Sequence, residues 1–156
     1  MGEKSMFHVV LVEPEIPPNT GNIARLCLAA GAHLHLIQPL GFSLDDRYLR
    51  RAGMDYWQEV QVSTWADWAT FRAAHLDRGD ASYHLLTTKT DRPYYEAAFQ
   101  PGDYLIFGRE TRGLPESLLA AESDRLLTIP MAPAARSLNL ATAVGIVLFE
   151  ALRQVR

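Results

Sequence analysis

The sequence predicts an α/β domain: a mostly parallel sheet with helices on both faces. Three observations lead there. Short apolar runs alternate with segments of helical periodicity along the whole chain. Three turns rich in glycine, asparagine and proline each stand where a strand would end and a helix begin, the edge at which open α/β sheets bind ligands. The last seventeen or so residues form a helix with almost no polar face.

The elements follow in order. Residues 1–6 are polar at their start and read as a disordered tail, leaving residues 7–156 as one domain. Phe7–Val12 is a continuous apolar run ending before Pro14, the pattern of a buried strand. Thr20–Ala30 has its apolar residues at helical spacing. Asn19 or Thr20 is expected to cap it and Gly31 to end it. His33–Ile37 is a second strand, closed by Pro39 and Gly41. Leu44–Ala52 reads as a short helix with Asp45 and Asp46 favourably placed in its first turn. Glu59–Val62 is expected as a strand, Trp65–His75 as an amphipathic helix capped by Ser63 or Thr64, and Tyr83–Thr88 as a strand. Tyr104–Phe107 and Arg125–Ile129 are the remaining strands, with a short helix at Pro115–Ala121 and a long one at Asn139–Val155. The long helix is apolar nearly all round, which predicts a subunit interface.

Composition narrows the function classes. The chain has 156 residues, enough for one core, with 48% hydrophobic and 21% charged residues. A net charge of −3 argues against a general nucleic-acid coat. It leaves room for a local phosphate-binding patch. All the cations except Lys4 and Lys89 are arginine, the side chain suited to bidentate phosphate contacts. The one cysteine, Cys27, can form no internal disulfide and reads as a small core residue. With no apolar leader segment, a cytoplasmic location is expected.

Familiar signatures are missing. The first strand is followed by neither G-x-G-x-x-G nor a P-loop, which disfavours a dinucleotide-dependent enzyme. Glu110 stands between Gly108 and Gly113, and its charge would repel a pyrophosphate. No G-x-S-x-G elbow is present. His33 and His35 share a strand face without a third ligand near in sequence, so a metal centre is not expected. Arg47, Arg50 and Arg51 fall on one face of the predicted 44–52 helix, beside Tyr48, Tyr56 and Trp57. That makes either a solvated helix or a phosphate-and-base platform.

The blocks that carry most information are Glu13–Cys27 (EPEIPPNTGNIARLC), Arg50–Tyr56 (RRAGMDY), Leu86–Lys89 (LTTK), Phe107–Pro115 (FGRETRGLP), Ile129–Met131 (IPM) and Arg136–Leu140 (RSLNL). In this order they resemble the SPOUT superfamily of RNA methyltransferases. The similarity is greatest to its TrmL branch of tRNA 2'-O-methyltransferases, which act on the wobble nucleotide of certain leucine tRNAs. The resemblance implies a C-terminal trefoil knot and a homodimer packed through the first and last helices. It implies S-adenosylmethionine held largely by backbone at Leu86, Thr87, Gly108, Ile129 and Ser137. Catalytic roles would fall to Asn19, Arg25, Glu110, Ser137 and Asn139, with tRNA contacts from Arg47, Arg50, Arg51, Arg112 and Arg136. No metal is implied. Arg109 stands where proline is common in this branch, and Ala141 where some members have serine. Other readings that stay open are methylation of ribosomal RNA or another tRNA position, and a non-catalytic RNA-binding module.

Overall fold

The computed structural model describes residues 6–44, 59–78, 80 and 82–156. Six strands among them form one sheet in the order β3-β2-β1-β5-β4-β6: β1 (His8–Val12), β2 (His33–Ile37), β3 (Val62–Trp65), β4 (Tyr83–Leu86), β5 (Tyr104–Phe107) and β6 (Leu126–Leu127). Every pairing is parallel. The helices are α1 (Pro17–Ala30), α2 (Trp68–Phe71), continued by a wider π turn over Arg72–Leu76, α3 (Glu116–Ala121) and α4 (Leu140–Val155). The predicted 44–52 helix, with Arg47, Arg50 and Arg51, lies outside the described residues apart from Leu44.

Strand alternation divides the core in two. Val9, Leu11, Leu34, Leu36, Leu105 and Phe107 face α1 and α4. Val10, Val12, Ile37, Tyr104 and Ile106 face α2 and α3. Both faces being covered explains why the strands read as unbroken apolar runs. Cys27 belongs to the first layer, where burial pushes its thiol up to about 12.

Three expectations need correction. First, α1 begins at Pro17, not Thr20, and Ile16 is its N-cap without a side-chain bond. Pro17 and Pro18 occupy positions whose N–H groups would have had no partner, so the helix needs no polar cap. Second, β3 is Val62–Trp65 rather than Glu59–Val62, and α2 is capped by Asp67, whose Oδ1 accepts from the Thr70 N–H at 2.8 Å. Thr64 is spent on pairing with β2, and Ser63 on that pairing and on a 2.8 Å side-chain bond to His33. Third, β6 is two residues long, because a tight turn at Ser123–Arg125 precedes it. The long helix α4 is not apolar to its partners all round: Leu140, Ala141, Val144, Val147, Leu148 and Ala151 are buried. Its other side leaves Phe149 40% exposed and Ile146 partly so.

At the N-terminal edge of the sheet, His8, His33, His35 and His75 gather with Tyr104 and Trp65. Trp65 Nε1–H donates to His35 Nδ1 at 3.1 Å, so His35 is neutral and carries its proton on Nε2. That proton points to His8 Nδ1 at 2.9 Å. The rings of His33 and His35 stack at 4.0 Å, and those of His8 and Tyr104 at 4.1 Å. Ligand atoms of His8, His33 and His35 lie within 4.8 Å of one another. However, the indole already occupies the one lone pair of His35, so coordination there would break that bond. Burial, then neighbouring imidazoles, hold His8 down at about 4, and burial holds His33, His35 and His75 below their ordinary range.

This arrangement fixes a pH dependence. The unfolded chain binds more protons than the folded one once the pH drops below 6.5, so stability is complete above about pH 7 and declines as the pH falls. Each imidazole kept neutral steepens the loss by up to about 1.4 kcal/mol per pH unit. Calorimetric Tm is expected to drop between pH 6.5 and 5, where exposed carboxylates are still ionised, and His8→Asn should flatten that slope. A Tm independent of pH in this window would contradict the assignment.

Candidate functional site

All parallel strands point the same way, so the segments that follow β1, β4, β5 and β6 emerge at one edge. There the segments after β4, β5 and β6 enclose a cleft of about 440 Å³, within the range of small-molecule sites. Leu86 and Thr87 come from the end of β4, Phe107 and Gly108 from β5, Thr128 and Ile129 from the exit of β6. Ser137, Leu138 and Leu140 come from the approach to α4. All five residues expected at a cofactor, Leu86, Thr87, Gly108, Ile129 and Ser137, therefore share one hollow.

The turn after β5 is built around close backbone contact. A Cβ on Gly108 would lie 2.1 Å from the Gly113 carbonyl carbon and 2.2 Å from the Leu114 nitrogen. Gly113 takes φ +69° and returns its N–H to the Arg109 carbonyl at 2.9 Å. Gly108 is thus needed first by its own chain, so that residues 108–114 can fold back as a wall of the cleft.

Carboxylates lock this turn to the start of α1. Glu110 Oε1 accepts from the Glu15 N–H at 2.8 Å, and Oε2 accepts from the Ile16 N–H at 3.0 Å and from Asn19 Nδ2 at 3.2 Å. Glu15 reciprocates, accepting from the Thr111 N–H at 3.0 Å and its hydroxyl at 2.9 Å. Arg109 pairs with Glu13, a non-glycine residue held at φ +58°. From Asn19 the chain of bonds continues. Asn139 Nδ2 donates to Asn19 Oδ1 at 3.1 Å, and Asn139 Oδ1 accepts from the Thr142 N–H at 3.1 Å, capping α4. Three segments distant in sequence are tied by one string of bonds whose donors and acceptors fix both amide orientations.

The residues expected to be catalytic do not all meet in one hollow. Glu110 and Ser137 line the cleft. Arg25 and Asn139 line a second, more open groove of about 460 Å³ between α1 and α4, with Asn22, Leu26 and Thr142. Asn19 is buried between the two, 8% exposed, and serves as the link rather than as the expected helix cap. The stretch Ser137–Leu140 is the partition, with Asn139 on the groove side and its neighbours on the cleft side. Arg112 and Arg136 sit on the cleft wall. Sequence reasoning missed Glu13 and Glu15. The only signal they gave was a doubled acid before Pro17, opposite Arg109 and Thr111.

The SpoU rRNA Methylase family matches residues 6–149. The chain belongs to this family. Among SpoU relatives, the tRNA (cytidine(34)-2'-O)-methyltransferase of Burkholderia cenocepacia is 51% identical over 150 residues, covering 96% of each chain. The enzyme of the same name from Escherichia coli K12 is 48% identical, covering 96% of this chain and 94% of that one. A structure described as giving insights into the 2-OH methylation of C/U34 on tRNA superposes with a TM-score of 0.91 at 48% identity, covering 97% of both chains. An AdoMet-bound rRNA methyltransferase from Sinorhizobium meliloti gives a TM-score of 0.86 at 29% identity, covering 99% of this chain and 59% of that one.

Gly108→Ala is expected to force the 108–114 turn open and to lower Tm by about 5–10 °C. Calorimetric AdoMet binding should be lost with it. Unchanged Tm and unchanged binding would contradict the packing described.

Proposed function

We propose that this SpoU-family chain is an S-adenosylmethionine-dependent tRNA methyltransferase that modifies the ribose 2'-hydroxyl of the wobble nucleotide, a cytidine or modified uridine, in leucine tRNAs. The single observation that carries this reading is the convergence of four separated sequence blocks, Leu86–Lys89, Phe107–Pro115, Ile129–Met131 and Arg136–Leu140, on one cleft at the C-terminal edge of the sheet. The relatives support the substrate. Those named as tRNA (cytidine(34)-2'-O)-methyltransferases match at both chains' full scale, whereas the rRNA-modifying neighbour is matched over 59% of its length.

The residues present fit AdoMet. The cleft offers apolar walls at Leu86, Phe107, Ile129 and Leu140 and backbone groups at three strand ends, a suitable bed for a flat base. Leu86, Thr87, Gly108, Ile129 and Ser137 would hold it. When bound, AdoMet supplies an electrophilic methyl group. The protein's own part is to bring the ribose oxygen into line and to stabilise the charge that develops on it. The Arg25 guanidinium is cationic and offers only N–H donors to a substrate. We assign it to the phosphate next to the acceptor ribose and to the developing oxyanion. Asn139, oriented through Asn19, and the Ser137 hydroxyl flank the partition between groove and cleft and would orient the sugar. Glu110 has both oxygens engaged by the 15–19 segment, so it acts by positioning. Arg112 and Arg136, with Arg47, Arg50 and Arg51 outside the described residues, would hold the tRNA backbone.

We infer a homodimer. The uncovered side of α4, with Ile146 and Phe149, lies beside the Arg25 groove, and a second copy packed there would bury it. We also read residues 128–139, which run from β6 at the sheet edge back to α4 beside α1, as the threaded segment of a trefoil knot, an exception to the usual unknotted path. No helix among the described residues is long and apolar enough to cross a membrane. We place the protein in the cytoplasm, with tRNA.

Arg25→Ala should reduce labelled methyl transfer to total tRNA by at least about a thousandfold, the scale of losing a group that stabilises transition-state charge. Calorimetric affinity for AdoMet should stay within about twofold. Retained turnover would remove Arg25 from the mechanism, and a wild-type protein inactive on tRNA would overturn the function.

A further inference from the structure

Beyond the cleft, one exposed patch has no structural employment. After β4 the chain turns through Lys89–Tyr95 and is stapled to the exit of β6. The Thr128 N–H donates to the Arg92 carbonyl at 2.8 Å, and the Tyr94 N–H donates to the Thr128 carbonyl at 2.8 Å. Thr128 itself lines the cleft, as do Thr87, Thr88 and Lys89. The Arg92–Tyr95 turn is therefore a rigid continuation of the cleft wall.

Its two outer side chains face water. Tyr95 is 54% exposed, the most exposed of the large hydrophobic residues described. Tyr94 packs against the core and meets the Tyr95 ring edge to face, with centroids 5.3 Å apart and planes at 78°. The exposed ring is thus held in a fixed orientation. The Arg92 side chain is exposed, and its guanidinium has no hydrogen-bond or ion-pair partner among the described residues. The same holds for Arg112 and Arg136 on the cleft wall. By contrast, Arg72, Arg109, Arg125 and Arg153, which lie off the rim or are turned into it, are all paired to carboxylates. In a chain of net charge −3, Arg92, Arg112 and Arg136 stand around one opening with no partner among the described residues, although Arg78 and Arg156 elsewhere also lack a carboxylate, and a preoriented aromatic ring stands beside the three. A polyanion with unstacked bases matches both features, phosphate to arginine and base to ring. An apolar protein partner would match the ring alone.

We propose that Tyr95 and Arg92 form a second RNA contact beside the cleft. Tyr95 stacks on an unpaired base flanking the modified nucleotide, and Arg92 holds an adjoining phosphate. This rests on the tRNA reading above and extends it to a base-stacking residue outside the motif blocks.

The test compares wild type, Tyr95→Ala, Tyr95→Phe and Arg92→Ala, using anticodon stem-loop binding by fluorescence anisotropy, methyl-transfer kinetics, AdoMet calorimetry and light scattering. Loss of one base–aromatic stack weakens binding by about tenfold. Tyr95→Ala should therefore raise the RNA Kd and KM by about that factor, with kcat and AdoMet affinity within about twofold. Phenylalanine should restore binding, because the ring and not the hydroxyl does the stacking. Arg92→Ala should reduce the salt slope of binding by about one. Wild-type RNA binding with unaltered affinity in Tyr95→Ala and an unaltered slope in Arg92→Ala would overturn the proposal and leave the function standing. A dimer that dissociates in Tyr95→Ala would overturn it in favour of a subunit contact. Failure of wild type to bind or methylate tRNA would instead bring down the function itself, and this contact with it.

Discussion

The site depends on one carboxylate. Glu110 stands on the turn after β5, yet its bonds go to the segment between β1 and α1, some ninety residues earlier. Without it, two backbone N–H groups and the Asn19 amide would lose their acceptor, and for the buried Asn19 amide an unsatisfied donor costs about 1–3 kcal/mol. With it, the β5 turn, the start of α1 and, through Asn139, the cap of α4 move as one body. A turn cannot wall a cleft if its far side is loose. Here the far side is held by Glu110 going one way and Glu15 returning the other.

The two edges of the sheet do different work. At the C-terminal edge, irregular segments meet, carboxylates are consumed by backbone donors, and arginines stay available on the rim. At the N-terminal edge, imidazoles stack on one another and on Tyr104, and bond to Trp65, Ser63, Tyr104 and one another. The first arrangement leaves a cavity and unpaired charge, which suits binding. The second leaves no free lone pair on His35, which suits packing. Four histidines in one cluster therefore bear on stability and its pH dependence, while the cleft lies at the other end of the strands.

Much of the fold was legible because parallel strands buried on both faces read as apolar runs. β1, β2 and β5 fall where their runs of valine, leucine and isoleucine lie. The edge strand β3 was misplaced, since Val62–Trp65 carries serine and threonine and is half solvated. Its pairing with β2 is a tertiary fact that no local pattern records. The five residues assigned to a cofactor were legible through their motif blocks, and the structure gathers them at one cleft. The role of Asn19 was not: asparagine before a helix reads as a cap by local rules, and only the approach of Glu110 and Asn139 from remote segments recruits its amide. Tyr95 and Arg92 were equally silent, because exposure and an unpaired guanidinium are properties of the folded surface.

Hydrogen exchange on the Glu110→Gln variant, read together with its methyl transfer to tRNA, addresses the clamp most directly. Glutamine replaces one acceptor oxygen with a donor facing backbone N–H groups. The amides of Glu15 and Ile16 are then expected to exchange at least about tenfold faster. Methyl transfer should fall sharply while global Tm changes by only a few degrees. Amides at 15–16 as protected as in the wild type, with full activity, would contradict the view that this carboxylate assembles the site.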